Sequence, residues 1–283
     1  MDPSASWVYR GFVTMRPAMG MSELALTLCI FAAALLYSSV GHAGASGYLA
    51  AMALFGVAPE TMRPAALILN ILVASIASVR FYRAGYFCWP IFWPFAVASV
   101  PLAFLGGTLA LPGALYKPIV GLALLFAAWR LMGRPVQATT RGIAVWVSLL
   151  LGAGIGLLSG LTGTGGGIFL GPLLILMGWA DVRQASGVSA AFVLVNSVAG
   201  VLGVLTQSAG LPDAMVTWAI AAVLGGLIGS ELGSRRLGSP ALRRLLAVVL
   251  VIAGIKLILP LEAPWAGPIR GKGEEVEALD GGS

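Results

Sequence analysis

"SGLTGTGGGIFLGP", residues 159–172, places six glycines and a proline in fourteen positions of a strongly apolar chain. Glycine weakens a helix by about 1 kcal/mol relative to alanine, and proline by about 3 kcal/mol. In hydrocarbon, irregular backbone survives only where protein buries it or where it lines a cavity. A blurred copy of the stretch occurs in the first half as "SSVGHAGASGYLAAM", residues 38–52. Ser39 to Gly47 matches Ser159 to Gly167 at an offset of 120. Downstream, "LILNILVAS" around Asn70 matches "FVLVNSVAG" around Asn196. The chain therefore reads as a duplicated half.

Composition sets the class. The 283 residues are 59% hydrophobic and 10% charged, with a mean hydropathy of +0.95. A soluble domain carries about 25% charged residues, so this chain lacks the polar surface to cover a globule in water. Two cysteines, Cys29 and Cys88, lie in separate apolar segments and give neither a disulfide framework nor a zinc site. One histidine, His42, excludes a His-rich metal transporter. No residue pattern calls for a metal or a cofactor. The net charge of +6 comes from arginines that flank apolar segments singly or in pairs. That pattern fits orientation in a lipid bilayer and not a nucleic-acid surface.

Apolar segments are predicted near 22–40, 46–57, 61–82, 86–111 and 115–133, then near 142–161, 166–178, 184–206, 213–233 and 241–261. Each half runs long, short, long, long, long. The short members, "GYLAAMALFGVA" and "GGIFLGPLLILMG", cannot span ~30 Å at about 1.5 Å per residue. They read as half-length helices, either re-entrant or part of a broken span. The expected organisation is an N-terminal segment (1–21), a first repeat (22–133), a cytoplasmic linker (134–141), a second repeat (142–261) and a disordered polar tail (262–283). Residues 1–20 lack the compact apolar core and cleavage site of a signal peptide.

An odd number of crossings per half inverts the second repeat relative to the first. With the linker inside, Arg80, Arg83, Arg130, Arg134, Arg141, Arg183, Arg235, Arg236, Arg243 and Arg244 fall in inside loops. The outside keeps Arg63, Lys117 and the terminal basic residues, and "TQSAGLPDA" carries none. An even count places "SRRLGSPALRR" outside, against the positive-inside bias. The fold expectation is an all-α polytopic membrane protein. It has two inverted-topology repeats, each with a glycine-rich helix break and a half-length helix.

A helix restarting inside the membrane presents backbone N–H groups and a positive dipole end, which favour an anion. Glycine lets the backbone approach that anion without a Cβ in the way. The candidate substrate-binding residues are Ser39, His42, Gly44, Ser46 and Gly47 in the first break, and Thr162, Gly163, Thr164, Gly165, Gly166 and Gly167 in the second. Asn70 and Asn196, at matching places on the next segment, complete the set. For one such stretch alone, close helix packing by small residues explains the glycines; two in matching positions favour a site. Asn70 and Asn196 either donate to a substrate or bond between helices. His42 either couples a proton, contacts the anion, or is a neutral histidine bonded to local backbone. Ser186 and Ser189 read as packing residues. Glu231 is expected to pair with Arg235 one turn on, and the tryptophans, Trp218 among them, to anchor the interfaces. "GTGGG" with Asp181 downstream mimics a dinucleotide fingerprint, but no βαβ unit surrounds it and no lysine follows as in a P-loop.

"SGLTGTGGGIFLGPLLILMGW", followed by a polar turn and a Ser/Ala-rich helix, resembles the second-half signature of the TauE/SafE family of sulfite exporters and anion permeases. "VGHAGASGYLAAMALFGV" resembles that family's first copy, with Ala45 and Ser46 where glycines are common. The likeness runs over roughly residues 22–261. The resemblance implies passage of sulfite, sulfoacetate or other organosulfonates across a bacterial inner membrane. The partners expected are a small anionic substrate, a coupled proton and the bilayer, with self-association left open. The first hypothesis is a secondary transporter working by alternating access; an anion channel on the same scaffold is the alternative. An enzyme is disfavoured, because no carboxylate pair, cysteine pair or histidine cluster occupies the predicted interior.

Overall fold

The computed structural model of the chain describes residues 20–109, 112–132, 143–206 and 211–235, with isolated positions between 251 and 259. The linker at 134–141, the tail at 262–283 and most of the N-terminal segment and the final apolar segment lie outside the described residues. Among the described residues nine helices form: α1 (Met21–Ser38), α2 (Ala45–Leu54), α3 (Pro59–Arg83), α4 (Trp89–Thr108), α5 (Gly113–Met132), α6 (Val145–Thr162), α7 (Gly167–Leu176), α8 (Val182–Val204) and α9 (Met215–Arg235). No strand occurs among them.

Helices α1, α3, α4, α6, α8 and α9 are long and apolar enough to cross a membrane. They leave large apolar side chains outward, including Leu28, Val97, Leu150, Leu202 and Leu224. On a water-soluble surface such a coat is a liability; facing lipid it costs nothing. Helix α5 has 20 residues, of which the apolar stretch Ala114–Phe126 is described in full. Helices α2 and α7 have ten residues each, about 15 Å of rise. Every residue from Ala45 to Ala53 in α2 is buried, as membrane physics requires of a helix too short to reach both interfaces.

Local chemistry sets several boundaries. Asp181 caps α8, its carboxylate accepting from the backbone N–H groups of Arg183 and Gln184, both at 2.8 Å. That capping role accounts for the acid that mimicked a ribose-binding residue. Helix α6 ends on Gly163 at φ 80°, and its N–H donates to the Ser159 carbonyl, a left-handed stop that glycine adopts at least cost.

The packing exchanges the two halves. Helix α4 packs on α6, and α9 packs on α1; α3 and α8 pack on each other at the centre, while α2 lies on α3 and α7 on α8. Both peripheral seams are built on glycines four residues apart. Gly152, Gly156 and Gly160 of α6 lie on the backbone of Phe95, Ser99 and Ala103 of α4. Gly225, Gly229 and Gly233 of α9 lie on the backbone of Phe31 and Leu35 of α1 and of Ser39 directly after it. Lipid offers no hydrophobic drive for helix association, so close backbone approach through small residues supplies the attraction.

Glu231 forms an ion pair with Arg80 of α3, across the α3–α9 contact; the expected pairing with Arg235 falls on a side chain outside the described residues. One expectation changes. Trp218 is buried in the core formed by α1, α2, α3 and α5. Trp89 and Trp146, exposed at the starts of α4 and α6, are placed as interface anchors would be.

Candidate functional site

The α6–α7 interruption, residues 163–166, uses three left-handed glycines: Gly163 at φ 80°, Gly165 at φ 73° and Gly166 at φ 78°. Thr162 closes the preceding helix. Its hydroxyl donates to the Leu158 carbonyl at 2.7 Å, so the Thr164 hydroxyl is the donor in the 2.9 Å bond between the two threonines. The Tyr116 hydroxyl of α5 donates to the Thr162 carbonyl at 3.2 Å. Both threonines are buried and bonded to their own segment. Helix α7 then begins at Gly167 with Gly166 as N-cap and no side-chain cap, which leaves its first turn open to an acceptor from elsewhere.

Gly165 is the tightest point. A Cβ there would lie 2.9 Å from the Asn70 side-chain nitrogen, 3.0 Å from the Ser197 hydroxyl and 2.7 Å from Val193. Asn70 and Ser197 are fully buried, and both polar atoms of Asn70 and the Ser197 hydroxyl have no hydrogen-bond partner. Leaving a buried polar group unpaired costs about 1–3 kcal/mol. The two donors among these atoms, the Asn70 amide nitrogen and the Ser197 hydroxyl, meet bare backbone at Gly165, an arrangement suited to a small oxyanion.

Asn196 sits elsewhere in the bonding scheme. Its amide nitrogen donates to the Phe192 carbonyl at 2.9 Å, and its oxygen accepts from Ser99 of α4. Asn70 and Asn196 match in sequence and differ in environment. Ser197, the neighbour of Asn196, is the residue of α8 that meets Gly165, and no motif in the sequence singled it out.

The α1–α2 interruption is built differently. The Ser39 hydroxyl donates locally to Leu36 at 2.7 Å. Gly44, at φ 115°, is the N-cap of α2 without a side-chain cap; a Cβ on it would strike the ring of Tyr48, whose hydroxyl donates to the Ala43 carbonyl at 2.6 Å. Gly47 lies against Ala33 and Tyr37, and Ser46 is buried, its hydroxyl and that of Tyr37 without a hydrogen-bond partner. His42 leaves this interruption and reaches α7. Its Nδ1 lies 2.8 Å from the Val40 carbonyl and so carries the proton. A Cβ on Gly171 would lie 2.8 Å from its Nε2 and 2.9 Å from the Ser189 hydroxyl, and a Cβ on Gly167 would lie 3.5 Å from the ring. The glycines of α7 thus make room for a histidine from the other half.

A further polar residue borders the second interruption. Gly163 lies on Arg63 of α3, whose guanidinium donates to the Leu109 carbonyl at 2.9 Å and to the Gly106 carbonyl. The sequence places Arg63 at a segment end, as an orienting charge or as one that attracts anions to a vestibule; in the structure it is buried. No group of three or more His, Cys, Asp or Glu side chains suited to a metal ion occurs among the described residues.

Comparison with known proteins supplies the class. The family model "Sulfite exporter TauE/SafE" matches residues 26–257. The probable membrane transporter protein y4hK of Sinorhizobium fredii (strain NBRC 101917 / NGR234) is 37% identical over 246 residues, covering 85% of this chain and all of that protein. No solved structure matches. With six helices able to span a bilayer, the chain belongs to the TauE/SafE sulfite exporter family and is a multi-pass membrane transporter of that type.

Proposed function

We propose that the protein is a secondary transporter that moves a small sulfur-containing oxyanion, sulfite or an organosulfonate, across a bacterial inner membrane by alternating access. The observation that carries the reading is the meeting of Gly165 with the Asn70 amide and the Ser197 hydroxyl, all buried and with the side-chain atoms unpartnered. An oxyanion accepts hydrogen bonds at several oxygens, and these donors with the uncapped start of α7 match that need. The repeats 22–133 and 142–261 are read as inverted copies. That reading draws support from the exchanged packing of α4 on α6 and α9 on α1. Rocking of one set against the other around the cradle provides access from each side. The uneven breaks divide the labour: the second binds the anion, and His42 of the first carries a coupled proton.

Proteoliposome flux tests the proposal. A screen of sulfite, sulfate, thiosulfate and organosulfonates is expected to give saturable transport of at least one, lost when Gly165 or Gly166 becomes leucine. Wild-type rates in both variants contradict the site, and current without saturation or counter-exchange moves the protein to the channel class.

A further inference from the structure

Arg63 is a buried cation whose counter-charge is missing. The residue is 7% exposed, and no carboxylate among the described residues forms an ion pair with it. Nη1 and Nη2 donate to the Leu109 and Gly106 carbonyls, at and just beyond the C-terminal end of α4, while Nε has no partner. A helix C-terminus offers only about half a negative elementary charge, so a net positive charge remains inside the protein. Buried charges persist where an opposite charge or a ligand completes them.

Position supplies the second part. Asn70 follows Arg63 by seven residues on α3, two turns along the same face and about 10 Å deeper. The α6–α7 interruption keeps the same register. A Cβ on Gly163 would lie 3.3 Å from both Cα and Cγ of Arg63, and a Cβ on Gly165 would lie 2.9 Å from the Asn70 nitrogen. The glycine-rich segment therefore runs along α3 from the base of the Arg63 side chain to the Asn70 amide.

We infer that Arg63 is the charge-selective residue of the anion path: its guanidinium, held by the end of α4, is the positive charge that draws the oxyanion toward Asn70 and Ser197. The inference rests on the proposed transport of an oxyanion. It makes Arg63 the element that selects charge, while Asn70 and Ser197 read shape and hydrogen bonding.

Sulfite flux into proteoliposomes tests it with Arg63→Gln and Arg63→Lys. Both variants lose the guanidinium contacts to α4, so both are expected to melt at a lower temperature. Charge separates them: KM rises at least about tenfold in R63Q and stays within about threefold in R63K, as loss of a unit charge about 10 Å from the anion demands at an effective dielectric constant of about 20. Equal KM values in folded R63Q and wild type overturn the inference and leave Arg63 a cap on α4. Should R63Q not fold, isotope-labelled arginine in the wild type replaces it. The Nε resonance absent from the R63K spectrum is expected to shift at saturating sulfite, and an unmoved resonance overturns the inference. A wild type with no saturable flux of any sulfur oxyanion removes the transport reading and this inference together; flux with an indifferent R63Q removes only this one.

Discussion

The side-chain nitrogen of Asn70 lies 2.9 Å from the point where a Cβ on Gly165 would sit, and neither polar atom of that amide has a partner in the protein. The chain thus brings backbone at φ 73° against a buried amide that packing alone does not require. Gly165→Ala places a methyl group in that contact and in a left-handed conformation that costs an L-residue about 1–2 kcal/mol. The variant is expected to bind sulfite at least about tenfold more weakly, the loss of one good hydrogen bond to a charged group. Titration calorimetry on the purified protein checks the ratio.

Asn70 and Asn196 separate a site amide from a structural one. Asn70→Leu removes two unpaired buried atoms and is expected to hold or raise the melting temperature, since an unsatisfied amide costs about 1–3 kcal/mol. Asn196→Leu breaks the bonds to Phe192 and Ser99 and is expected to lower stability by a similar amount, about 1–3 kcal/mol. Thermal unfolding of the two variants, in the absence of anion, gives opposite signs on this account.

The seam between α4 and α6 predicts a contrast within three residues. Gly156 lies on the backbone of Ser99, whereas nothing lies within 4 Å of a Cβ on Gly154. Gly156→Ala is expected to drive the helices apart and sharply reduce the yield of folded protein. Gly154→Ala is expected to be neutral or stabilising by up to about 1 kcal/mol through helix propensity. Size-exclusion profiles and melting curves of the pair check the seam.

His42 gives a pH-dependent readout. Its ring joins the first interruption to Gly171 and Ser189 of the second half, and its Nδ1 proton is held by the Val40 carbonyl. Exchange of a proton at Nε2 during the cycle would give transport a pH profile that flattens in His42→Gln. An unaltered profile assigns His42 to packing.

Much of this was legible in the sequence because it depends on local signals. Six apolar segments emerge as helices able to cross a membrane, and the glycine clusters after Ser38 and Thr162 coincide with the stops before α2 and α7. What was not legible depends on which element faces which. The four-residue glycine spacing in α6 and α9 announces a close contact but not its partner. Glu231 met Arg80 because α9 packs on α3, which helical spacing within α9 cannot reveal. The matched asparagines diverge for the same reason. Asn196 faces the Ser99 hydroxyl of α4, while α9 meets α3 through Gly226 on Val73, a contact that offers Asn70 no partner. Orientation and anion attraction stayed unseparated for Arg63 because burial is a tertiary property.

The central claim is that buried donors beside Gly165 hold a transported oxyanion, and uptake of radiolabelled sulfite into proteoliposomes carrying wild type or Asn70→Leu tests it most directly. The account predicts saturable uptake by the wild type and at least about a tenfold loss of its initial rate in a variant that folds as well or better. Uptake by folded Asn70→Leu at the wild-type rate would contradict it.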